Sequence, residues 1–90
     1  MQIEFDSAKR QETLEERGLD MADAAEVFEG DHLTVEDARF DYGETRHITV
    51  GFLGGRMVVL AWTLRNGARR IISMRKANER EIAKFAQAMD

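Results

Sequence analysis

The sequence predicts an α+β domain: a small antiparallel sheet with two helices before it and one after it, in the order β-α-α-β-β-β-β-α. Three observations carry this. The apolar spacing changes from a helical pattern to strict alternation at Leu33. Two glycine-bearing pairs, Gly54-Gly55 and Asn66-Gly67, fall between alternating runs as two-residue hairpin turns. Helix start and stop residues bracket the flanking segments.

In chain order, Met1 to Phe5 alternates as a short strand, and Asp6 is placed to cap a helix from Ser7 to about Arg17. Gly18 can take the left-handed position that ends it. Ala8, Leu14 and the stem of Arg10 are its expected inward residues. Asp20 opens a second short helix, Met21 to about Phe28, with Met21, Ala24, Ala25 and Phe28 spaced along one face, and Gly30 ends it. Strands are expected over Leu33 to Arg39, Arg46 to Leu53, Arg56 to Arg65 and Ala68 to about Lys76. Asn78 and Glu81 have the spacing of a capping box, which starts a final helix through about Ala88. With 90 residues and no internal repeat or linker, the expectation is one domain over residues 1–90.

The net charge of -4 conceals a strong asymmetry. From Arg46 onward, nine arginines and lysines face three acids, net +6, whereas the first half has four against fourteen, net -10. Segregation of this kind suits a polyanion on one face and a different partner on another. The absence of cysteine excludes disulfides, thiolate metal sites and cysteine nucleophiles. His32 and His47 have no neighbours at metal-ligand spacing, so neither a metal nor a cofactor is expected. Nor does any apolar run suffice to span a bilayer, and the Met1–Asp6 segment lacks the features of a secretory signal, so no membrane role is expected and the cytoplasm is the default compartment.

The two tight turns fix registers. A two-residue turn at Asn66-Gly67 sets Arg65 opposite Ala68, Thr63 opposite Arg70, Ala61 opposite Ile72 and Val59 opposite Met74. A like turn at Gly54-Gly55 sets Phe52 opposite Met57, Val50 opposite Val59, Ile48 opposite Ala61 and Arg46 opposite Thr63. All of these share a face, and extending it back to Glu44 gathers Glu44, Arg46, Thr63, Arg65 and Arg70 at one end. Guanidinium forks match phosphate oxygens and stabilise charge that builds in a phosphoryl transition state. A carboxylate beside them can take the proton of a ribose 2′-OH, which makes Glu44 the candidate base for metal-independent RNA cleavage. An ordinary ion-pair cluster on a strand end is the competing reading of the same residues.

The segments Ile3–Asp6 with Lys9, Arg17–Phe28, Tyr42–Arg65 and Arg69–Phe85 resemble the BrnT toxins over almost the whole chain. The most specific stretch is the strand Arg70–Arg75 followed by the helix start Ala77–Glu81. The resemblance implies a fold similar to RelE-type toxins and a ribonuclease toxin of a type II toxin-antitoxin pair that arrests growth. The implied partner is a BrnA-like antitoxin, a ribbon-helix-helix protein carrying two toxins on its dimer, with operator DNA reached only through it. Carried over by position, the site falls on Glu44, Arg46, Arg65, Arg70 and, from the resemblance alone, Arg75. Many relatives read Asn-Leu-x-Lys-His-Gly where this chain has Thr13–Gly18, so their basic pair is Glu16-Arg17 here. A binding module whose basic sheet serves only the antitoxin is the alternative.

Other residues admit plainer readings. Lys76, Arg80 and Lys84 recur at helical spacing and either extend an RNA-binding surface of Arg46, Arg65 and Arg70 or form a solvated face. Trp62 groups with Val58, Leu60, Leu64 and Ile71 as core rather than as a base-stacking platform, and His47 is expected on the face opposite Arg46. Arg75 has the wrong parity to face Arg70 in a regular ladder, and a bulge near Ser73 would turn it back.

Overall fold

A computed structural model describes residues 2–89; Met1, the expected first residue of the opening strand, lies outside them. The elements are β1 (Ile3–Phe5), α1 (Ser7–Arg17), a 3-10 turn (Met21–Asp23) leading into α2 (Ala24–Glu29), β2 (Leu33–Glu36), β3 (Arg46–Leu53), β4 (Arg56–Arg65), β5 (Ala68–Lys76) and α3 (Glu79–Met89). Their order is the expected one. Among the described residues, five strands form one sheet in the order β1-β5-β4-β3-β2.

The sheet is mixed rather than wholly antiparallel, because β1 pairs in parallel with β5. No tight turn joins these two strands, so turn chemistry is silent on their relative direction. The direction follows from α1, which runs back over β5 as a crossover. There Arg17 donates to the Met74 carbonyl at 2.8 Å and Lys9 to the Ile72 carbonyl at 3.4 Å. This polar docking also corrects the expected inward face of α1: Ala8 and Leu14 are exposed, while Thr13 is buried. Arg10 is half-buried as expected, with its fork on Asp20 at 2.7 and 3.0 Å and its guanidinium over the Phe5 ring. Those hydrogen bonds hold the Asp20 carboxyl at about 2.

On that side of the sheet Leu19, Met21, Ala24 and Val27 pack on Val58, Leu60, Trp62, Ile71 and Met74. Val27, not Ala25, completes the α2 face, and Leu64 is 51% exposed because it lies past the cover of the helices. The approach of α2 is close. A Cβ on Gly51 would stand 2.7 Å from Val27 Cγ1 and 3.3 Å from the Asp31 carbonyl, so only glycine fits beneath it. Trp62 is buried, donates to Thr49 Oγ1 at 2.8 Å and stacks on His47, which stands on this side, away from Arg46.

Both hairpins form as expected, with φ of +58° and +77° at Gly54-Gly55 and +52° and +77° at Asn66-Gly67. The β3–β4 register holds throughout, and β4–β5 holds from Arg65/Ala68 to Trp62/Ile71. Then the ladder slips by one residue. Ala61 pairs with Ser73 instead of Ile72, and Val59 with Arg75 instead of Met74. Ile71 and Met74 are both buried on the helix side, and three residues apart in a regular strand they would face opposite ways. Ile72 is the extra residue that lets both point inward, and it returns Arg75 to the Arg70 side.

β2 ends at Glu36, short of the expected Arg39, because the Asp37 carboxylate accepts the Arg39 backbone N–H and turns the chain. The capping box is reciprocal: Asn78 Oδ1 accepts from the Glu81 N–H and Glu81 Oε1 from the Asn78 N–H, both at 2.9 Å. α3 crosses the second face of the sheet and buries Phe85 edge-on to Phe52. It leaves the arginine end of that face open.

Candidate active site

Three strands bring four arginines to the uncovered end. Arg46 opens β3, Arg65 closes β4, and Arg70 and Arg75 come from β5 on either side of the bulge. The link between β2 and β3 brings Glu44 over them. Its carboxylate lies 3.3 and 3.4 Å from Arg65 Nη2 and 3.8 Å from Arg46 Nε. Thr63, grouped with these residues by register, is 1% exposed and meets no ligand directly. Its hydroxyl donates to the Thr45 carbonyl at 2.7 Å, which ties down the residue next to Glu44.

The arginines differ in how tightly they are held. Arg70 Nη1 reaches Glu4 Oε1 at 3.5 Å, and the Glu44 contacts are similarly long, so these pairs are loose. By contrast, Arg75 binds Glu81 through two bonds of 2.8 and 2.7 Å. Those bonds, with the Asn78 N–H, lower the Glu81 carboxyl to about 2 and raise the Arg75 guanidinium further.

Arg46 occupies the centre. Its guanidinium carbon lies 4.0 Å from the Tyr42 ring centroid, a cation–π contact, and its Nε is buried without a hydrogen-bond partner. Tyr42 in turn donates its hydroxyl to Asp37 Oδ2 at 3.1 Å. Asp37, with its side chain 6% exposed, also takes the Arg39 fork at 2.8 and 3.0 Å, which holds its carboxyl well below the usual range.

Two hollows adjoin across Arg46 and Ile72. One, of about 310 Å³, is rimmed by Lys9, Arg46, Arg65 and Arg70. The other, of about 340 Å³, is lined by Ile48, Val59 and Ala61, by Arg46, and by the ion pairs Arg39–Asp37 and Arg75–Glu81. The site residues expected from sequence are thus brought together except for Lys76, opposite Val58 and so on the helix-covered side, and Arg80, exposed on the first turn of α3. Neither lines these hollows. Sequence reasoning does not assign Lys9, Asp37, Arg39 or Tyr42 to the site. The Asp37-x-Arg39 spacing next to an aromatic is the one signal that pointed there. Among the described residues, no three His, Cys, Asp or Glu side chains gather as a metal site.

Clustered arginines around a carboxylate, at an open end of a sheet, present the kind of planar donor forks that phosphate oxygens accept. No curated protein matches the chain. The family model described as "Ribonuclease toxin, BrnT, of type II toxin-antitoxin system" matches residues 5–81. With that match spanning most of its length and the cationic face lying largely within it, the chain belongs to the BrnT family of ribonuclease toxins of type II toxin-antitoxin systems.

Proposed function

We propose that the chain cleaves RNA endonucleolytically without a metal ion, with Glu44 as general base and Arg46, Arg65 and Arg70 as phosphate ligands. Glu44 removes the ribose 2′-OH proton, the 2′-oxygen attacks the adjacent phosphorus, and the P–O5′ bond breaks, leaving a 2′,3′-cyclic phosphate and a 5′-hydroxyl. Water supplies the proton to the departing oxygen. The observation that carries this reading is the position of Glu44, between Arg65 and Arg46 beside a hollow rimmed by four cations. Because the Glu44 and Glu4 pairs are long and partly exposed, phosphate oxygens can displace them at small cost. Arg75, already neutralised by Glu81, contributes field and shape rather than a free fork. Arg80, exposed on the first turn of α3, lies farther out, where it can follow the RNA backbone, whereas Lys76 stands on the helix-covered side and is not part of this path. The antitoxin, a BrnA-like ribbon-helix-helix dimer carrying two toxins, covers this face in the cytoplasm and links it to operator DNA.

A second reading rests on the fact that Arg46, Arg65, Arg70 and Arg75 each have a carboxylate within 4.0 Å. A fully paired face can serve as an antitoxin-docking surface with no chemistry. Incubating labelled RNA with the purified chain in EDTA, beside the Glu44→Ala/Arg46→Ala double variant, separates the two. Cleavage by the wild type alone supports the nuclease. RNA left intact by both supports the docking surface.

A further inference from the structure

We infer that the 340 Å³ hollow beside the phosphate site is a subsite for one unpaired nucleoside, which makes single-stranded RNA the substrate class; this rests on the nuclease reading. Its volume falls within the roughly 300–1,000 Å³ of small-ligand sites. The interior offers a base an apolar seat on Ile48, Val59 and Ala61, with the Ser73 hydroxyl on one wall. Opposite stands Tyr42, its ring already covered by the Arg46 guanidinium at 4.0 Å. That stack leaves the outer plane of a guanidinium as the surface a base can meet, and bases stack on such planes.

Continuity with the phosphate site selects the occupant. Arg46 and Ile72 line both hollows, so a phosphate held in one places its own nucleoside at the mouth of the other. A base can lie on the sheet's side chains only when its face is exposed, and in a duplex both faces are stacked. The bulge at Ile72 is what separates the two hollows, since it puts two consecutive side chains of β5 on this side.

The test is a binding scan with short 2′-O-methyl RNA, in which the nucleophile is blocked and one base at a time is replaced by an abasic spacer. The wild type should show one position where base removal weakens binding by about tenfold. Ala61→Leu, which fills the hollow, should erase that dependence, and Tyr42→Leu supplies a second variant outside the sheet. Arg46→Ala should instead weaken every oligonucleotide. A flat scan, an unaltered dependence in both Ala61→Leu and Tyr42→Leu, equal binding of duplex RNA, or no RNA binding at all overturns the subsite. Because the scan reads binding alone, a positive scan with no cleavage of ordinary RNA would sink the nuclease reading and leave the subsite standing.

Discussion

Arg75 and Glu81 join the end of β5 to the first turn of α3 through two parallel hydrogen bonds of 2.8 and 2.7 Å, and the same Glu81 closes the capping box on Asn78. One carboxylate therefore fixes the helix start and the cation beside the site. Glu81→Ala should cost about 1 kcal/mol for the cap alone, with a further loss from the freed Arg75, read by thermal or urea unfolding. The sign of the pH dependence follows. The folded-state carboxyl is depressed from 4.5 to about 2, so its stabilisation is full above 4.5 and disappears as pH falls through 2. Glu81→Gln should flatten the wild-type loss of stability across that window.

Gly51→Ala should destabilise by about 1–3 kcal/mol, since the new methyl group would press on the buried Val27 and on backbone. Denaturant midpoints check this. A cost below a few tenths of a kcal/mol would mean that α2 moves away freely.

Cleavage by Arg46→Lys should fall nearly as far as by Arg46→Ala, about 10²-fold, because an ammonium lacks the planar fork and does not cover the Tyr42 ring in the same way. Tyr42→Phe keeps the ring and loses only the bond to Asp37, so its loss should be several-fold at most. Single-turnover rates on one RNA order the three variants.

RNA affinity should fall with salt. If the phosphate hollow neutralises three to four phosphates, log K against log [salt] has a slope of about -2 to -3 for a single strand. Arg70→Ala should make that slope shallower by about 0.7. Fluorescence anisotropy between low and physiological salt measures both.

The strands, turns and caps were legible because local chemistry specifies them: Asn66-Gly67 permits one kind of turn, and Asn78 with Glu81 one kind of helix start. The grouping of Arg46, Arg65 and Arg70 followed from those turns, and Glu44 joined it by extending the strand back past Arg46. Long-range choices were not legible. The slip at Ile72 is imposed by burial of both Ile71 and Met74, which alternation cannot anticipate. The parallel edge strand and the polar docking of α1 arise between segments more than fifty residues apart. Asp37 and Tyr42 went unassigned because a loop's side-chain network has no periodicity to read.

The pairing of β1 with β5 also has a consequence for the order of synthesis. β1 leaves the ribosome before the other described strands, yet among the described residues its one hydrogen-bonded neighbour in the sheet is β5, some 66 residues later. The hairpins of β3, β4 and β5 can close as they emerge, whereas Glu4 meets Arg70 only after a loop spanning most of the molecule has closed. A ribosome-bound chain that has not exposed residues 68–76 lacks both this edge and Arg70. The cationic site is thus assembled only once β5 has emerged, and a nascent chain that stops short of Arg70 carries no complete version of it.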